Sequence, residues 1–138
     1  MSPARPVTAG YSGTPLIKKL GIKEGFRCFY SHAPADYPRM LGTLPSSVKV
    51  ERLPSGEFDF IHAFFENTKS FQAELPKLRD RLKKSGLLWI SWRKGKVSDL
   101  SEDVVRRIAL EWGLVDVKIC AVDEIWSGLK LVYRLKDR

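Results

Sequence analysis

Apolar residues along this chain switch between helical spacing and short unbroken runs, so helices and strands are predicted in alternation. In "GTPLIKKLG" the residues Leu16, Ile17 and Leu20 make one stripe. Thr14 is the expected N-cap, Pro15 the first helical residue and Gly21 the left-handed stop. A helix of about two turns is marginal alone and must pack on something. The Ser-Gly-Thr-Pro ahead of it is too short and proline-bound for a phosphate nest, which leaves a packing helix as the reading. "GFRCFYSHAP" predicts a strand over Phe26 to Tyr30, stopped by Pro34. "ADYPRMLG" is a turn or short irregular helix interrupted at Pro38, and "SSVKVER" a second strand ending near Arg52.

The next run, Phe58 to Phe65, is rich in aromatic and β-branched residues and suits a strand covered on both faces. Phe71, Leu75, Leu78 and Leu82 follow at spacings of four, three and four. They predict one helical face, kinked or restarted at Pro76, with Lys83 and Lys84 at its C-terminal dipole and Ser85-Gly86 as its end. "LLWISW" is another buried strand. "DLSEDVVRRIALEWG" opens with the cap candidates Asp99 and Ser101, turns Val104, Val105, Ile108 and Trp112 inward, and closes at Gly113. Two last strands, in "LVDVKICAV" and "LKLVYRL", are joined by "DEIWSG", short enough for an antiparallel pair.

Strand–helix alternation ending in a hairpin predicts a three-layer α/β domain. The expected architecture is a mostly parallel sheet of about six strands with a C-terminal antiparallel hairpin, preceded by a loose tail over residues 1–10. One domain covers residues 11–138, as its length allows. At 43% hydrophobic residues the chain can bury a core, yet it holds no apolar run long enough to span a bilayer. Neither a membrane partner nor a secretory signal is expected, and Cys28 and Cys120 read as thiols of a reducing cytoplasm.

Formal net charge is +8, from 24 Lys+Arg against 16 Asp+Glu. This favours anionic partners or solubility without choosing between them. From Lys77 to Lys96 there are eight basic residues and one acid, Asp80. Its first part, Lys77 to Lys84, reads as a solvated helix face, whereas Arg93, Lys94 and Lys96 emerge beyond "LLWISW".

Known catalytic motifs are missing: there is no G-x-S-x-G elbow, Walker loop, H-E-x-x-H or zinc ligand spacing. Open α/β sheets bind ligands at the carboxyl ends of their strands. Ser31, His32, Asn67, Trp92, Arg93 and Lys94 all follow strands and should converge there. They would supply hydroxyl, imidazole, amide, an aromatic wall and positive charge, a set suited to a phosphorylated or carboxylated ligand. His62, inside "FDFIHAFF", reads as a hydrogen-bonded core histidine. Nucleic acid stays open as a partner on charge alone, with no helix-turn-helix, RNP or finger motif to support it.

The stretch "FDFIHAFF…LPKLRDRLKKSGLLWISW", with the strands that follow, resembles the second half of the class I methyltransferase fold. That resemblance implies a spatial strand order of 2-1-3-4-6-5, an antiparallel sixth strand and a deleted usual third strand, since "ERLPSGEFDF" leaves no room for it. A nucleoside cofactor in such folds needs glycines after the first strand. Here that loop reads "YSHAPADYPRML", so the cofactor site is expected to be degenerate, with no cofactor bound and no catalytic residue assigned. Glu51, ending the second strand, stands where an acid would hold ribose hydroxyls, although an acid at a strand end is usually just solvated. "AGYSGTPLIKKLGIKEG" and "LSEDVVRRIALEWGLVDVKICAVDEIWSGLKLV" also resemble a bacterial family catalogued as domain of unknown function three-zero-five-two. That likeness carries no activity with it. Three functions follow as expectations: a non-catalytic methyltransferase-like domain binding an anionic ligand, an atypical S-adenosylmethionine-dependent methyltransferase, or a nucleic-acid-binding accessory protein.

Overall fold

Six strands form one sheet in the order β2-β1-β3-β4-β6-β5. They are β1 (Arg27–Ser31), β2 (Lys49–Glu51), β3 (Phe58–Phe64), β4 (Leu82–Arg93), β5 (Leu114–Ala121) and β6 (Trp126–Tyr133). Only β6 runs against its neighbours; the β1–β2, β1–β3 and β3–β4 pairs are parallel. This computed structural model describes residues 13–138, so the expected tail over 1–10 and the start of the "YSGT" stretch lie outside the described residues. Both the strand order and the antiparallel sixth strand are as expected. No strand or helix lies between β2 and β3, whose connection is residues 52–57.

Alternation along β3 and β4, broken at the register shift between Phe58 and Phe60, divides the core into two layers. Phe58, Ile61, Ala63 and Leu88, Ile90, Trp92 face α3 (Thr68–Asp80) and α4 (Glu102–Glu111). Phe60, Phe64 and Trp89 face α1 (Leu16–Leu20) and α2 (Tyr37–Leu41). A strand buried on both faces needs apolar residues at nearly every position, and these runs supply them apart from the part-buried Asp59, which accepts the Arg27 N–H and pairs with Lys83. Two polar exceptions, His62 and Ser91, are fully buried on the α1–α2 side. They satisfy each other and α2: His62 Nδ1 is 2.6 Å from the Tyr37 hydroxyl, and His62 Nε2 is 2.7 Å from Ser91 Oγ. The Trp89 indole N–H donates to the Leu20 carbonyl at 2.8 Å and ties the end of α1 to the sheet.

Several local expectations are corrected. Pro15, rather than Thr14, is the N-cap of α1, with no side-chain hydrogen bond, although Gly21 does close it at φ +86°. Helix α3 stops at Asp80 instead of running to Lys84, and it continues through Pro76. Leu82 already pairs with Phe58, and residues 83–86 bulge from the ladder before Leu87 pairs with Phe60. Lys83 then bonds Asp59 at 3.0 Å and Lys84 sits 4.3 Å over the Tyr133 ring. Ser101 caps α4, but Asp99 caps the other helix, accepting the Thr68 N–H at 2.8 Å. Val104 and Trp112 are only partly covered, and Ala109 takes an inward place beside Val105 and Ile108. Ser127 and Gly128 belong to β6 rather than to a turn. A Cβ at Gly128 would lie 3.1 Å from both Ser91 Oγ and Trp89, so close packing explains the glycine there. Strand β5 carries one extra residue between Asp116 and Lys118, a bulge at Val117 on an outer edge.

Burial pushes the His62 imidazole down to about 3, so the folded protein holds it neutral. The unfolded chain takes up this proton near the ordinary value of about 6.5. Between those limits the unfolded state binds more protons, and stability falls as pH falls. From pH 7 to 5 this amounts to about 2 kcal/mol. Urea unfolding at the two pH values should show that loss in the parent. A His62→Gln variant, less stable throughout, should lose this dependence.

Candidate functional site

The strand order reverses direction between β1 and β3, and their carboxyl ends open a crevice of about 350 Å³. Such a switch point is where open α/β sheets take their ligands. His32, Phe65, Glu66, Asn67, Glu74 and Trp126 line it. His32 comes directly after β1 and holds φ +57°, a left-handed conformation that costs a non-glycine residue about 1 kcal/mol or more. Its Nε2 is 2.9 Å from Glu74 Oε2. Asn67 caps α3, its Oδ1 accepting the Ser70 N–H at 2.9 Å. Asn67, Ser70 and Glu74, at spacings of three and four, put one face of α3 along the crevice.

Arg93 ends β4 at the crevice mouth. Its guanidinium holds Glu66 in a fork, with Nε to Oε1 at 2.7 Å and Nη2 to Oε2 at 3.2 Å. The same group lies 4.9 Å over the Trp126 ring. This geometry raises the guanidinium above its ordinary value, first through the Glu66 hydrogen bond and then through its charge. Trp126 is buried and meets Phe64 edge-on at 5.2 Å.

The expected site residues separate into groups. His32, Asn67 and Arg93 do come together. Ser31 is buried and faces an adjoining cleft of about 630 Å³, shared with Phe29, Pro54, Lys77 and Glu74. Glu51 pairs with Arg27 at 3.6 Å out on the edge strand. Trp92 is no aromatic wall, because its ring packs in the core against the α3–α4 layer; Trp126 takes that place. Lys94 bonds the Ile125 carbonyl through its main chain at 2.8 Å, and its charge bears on Cys120 beyond the hairpin. Glu66 and Glu74 join the site without having been expected from the sequence. Glu66 adjoins Asn67 at the same strand end, where the same reasoning applies, while Glu74 is reached by the helical spacing from Asn67.

Two features stand against a nucleoside cofactor: residues 32–36 contain no glycine, and His32 turns its imidazole to Glu74 in the crevice. Glu51 is held by Arg27 only in a part-exposed pair, which a ligand could exchange. Among the described residues, no cluster of His, Cys, Asp or Glu is placed to hold a metal ion, and no helix is long and apolar enough to cross a membrane.

No family model matches this chain, and no curated protein matches it in sequence. Its fold is that of methyltransferases. The chain superposes on an S-adenosylmethionine-dependent methyltransferase from Aquifex aeolicus with a TM-score of 0.59 at 18% identity, covering 84% of this chain and 86% of that one. Magnesium protoporphyrin IX methyltransferase from Synechocystis PCC 6803, solved with its cofactor bound, gives 0.55 at 12% identity, over 86% and 74%. A ribosomal protein L11 methylase from Lactobacillus delbrueckii subsp. bulgaricus gives 0.54 at 12%, over 86% and 75%.

Removing the Trp126 ring deprives Phe64 of its edge-on partner and Arg93 of its platform. Trp126→Ala should lower the unfolding free energy by about 3–5 kcal/mol in urea titration.

Proposed function

We propose that this methyltransferase-fold domain binds an anionic small molecule at the switch-point crevice and does so without a nucleoside cofactor. One observation carries the proposal: Arg93, anchored over Trp126, presents a fork already occupied by a carboxylate. The Glu66 side chain is 62% exposed, so the pair is a solvent-screened surface ion pair and is readily exchanged. A ligand carboxylate or phosphate takes the place of Glu66 in the same bidentate geometry. Phe65 and Trp126 give apolar contact below it, and the His32–Glu74 pair fixes a second polar edge. The resemblance to the unknown-function family rests on the two terminal blocks of sequence alone, and no family model adds to it.

A second reading, an atypical methyltransferase, is favoured by one feature. His32 keeps the left-handed turn after β1 that a glycine otherwise supplies. Calorimetry with S-adenosylmethionine separates the two readings. No heat at micromolar concentrations supports the binding domain, and micromolar affinity would overturn it in favour of the transferase.

A thermal-shift screen of phosphorylated and carboxylated metabolites should find a stabilising ligand, since a ligand at 100 times its Kd adds about 2.7 kcal/mol. Arg93→Gln should abolish that shift, and Glu66→Gln, by clearing the fork, should enlarge it. A shift unchanged by Arg93→Gln would place the ligand elsewhere.

A further inference from the structure

Lys118 of β5 stands directly across the ladder from Lys130 of β6. Facing like charges destabilise an antiparallel pair. The Lys118 ammonium donates to the Lys19 carbonyl at 3.4 Å, and the Lys130 ammonium lies 6.0 Å over the Trp89 ring. Burial, then the charges of Lys118 and Lys23, lower the Lys130 ammonium from its ordinary value. A cleft of about 530 Å³ opens here between α1 and the hairpin, lined by Thr14, Lys19, Lys118, Cys120 and Ser127 among others. Lys19, Lys94, Lys118 and Lys130 all act electrostatically on the Cys120 thiol, although burial outweighs them and moves it up. Among the described lining residues there is no carboxylate. The neighbouring Asp123 is turned into the hairpin, where its Oδ1 accepts the N–H groups of Ile125 and Trp126 at 2.8 Å.

Positive charge is thus gathered from α1, β5, β6 and the end of β4 onto one face, at a cost to the hairpin. We propose that this cleft binds consecutive phosphate groups, those of a nucleic-acid backbone or of a free polyphosphate chain. Ammonium groups spread over several elements match several phosphates better than one. The described lining residues include no aromatic ring and Trp89 is wholly buried, which favours contacts to phosphates, and these carry no sequence information. This site is separate from the Arg93 crevice and stands without it.

The test is fluorescence anisotropy of the full chain with a labelled single-stranded oligonucleotide, together with calorimetry using tripolyphosphate. Lys118→Gln combined with Lys130→Gln should weaken binding at least about tenfold, and the log–log salt slope should become shallower by about 0.7 for each phosphate that the variant no longer neutralises. Melting temperature should hold or rise, because the facing charges are gone. Lys136→Gln, which removes a charge at an exposed position away from the cleft, should leave affinity within about twofold of the parent. Oligonucleotide binding without tripolyphosphate binding assigns the site to a nucleic-acid backbone; tripolyphosphate binding alone assigns it to a free polyphosphate. Equal affinity and slope in parent and double variant overturns the proposal, as does a parent chain that binds neither probe.

Discussion

A buried imidazole dictates much of this fold. His62 lies in the centre of β3 with no access to water, and a neutral histidine there must satisfy one donor and one acceptor. Hydroxyls on both sides suit either tautomer, and Tyr37 and Ser91 supply them. Ser91 comes with the adjacent strand, but Tyr37 has to be delivered by α2, which begins only six residues after the end of β1. The intervening turn is therefore tight, and His32 takes its left-handed step at the start of it. The same step carries the His32 ring to Glu74 at the crevice. Satisfying one polar group in the core thus shapes the ligand edge of the sheet.

Charge in this protein follows the fold and not the linear sequence. The basic run from Lys77 to Lys96 is dispersed: Lys83 goes to Asp59, Lys84 to Tyr133, Arg79 to the Trp112 carbonyl and Arg93 to Glu66. None of these makes a continuous positive surface. Of the cations that do gather, only Lys94 comes from that run; Lys19, Lys118 and Lys130 have no sequence run to announce them. Hairpin pairing and the docking of α1 bring them to one place. Buried surface sets where those lysines stand, and their mutual repulsion is left over.

What could be read from the sequence was whatever local periodicity determines. The largely apolar runs of β3 and β4 read as strands covered on both sides, and the acidic first turn marked the start of α4 with Ser101 as one of its two cap candidates. The end of α3 was hidden because Leu82 continues the helical spacing from Leu78 while also being the first residue of β4. Asp99 looked like a local cap, but its partner Thr68 lies 31 residues away. Gly128 looked like a turn residue because its requirement for space comes from Ser91 and Trp89 across the sheet. At the crevice, strand ends could be named in advance. Which of their side chains point out of the core could not: the register that buries Trp92 and brings Trp126 to the mouth is set by β6.

The bulge at Val117 has a bearing on how copies of this chain meet one another. Strand β5 is the long outer edge of the sheet, and Val117 and Ile119 on it are about half exposed. A flat edge of this length with such residues would be a template for a further strand, and so for aggregation in a crowded solution. The extra residue breaks the hydrogen-bonding rhythm in mid-strand, and Lys118 follows it at once with a charge. At the opposite side, β2 is only three residues long and offers little to copy. Both borders of the sheet are thereby made poor templates for a further strand.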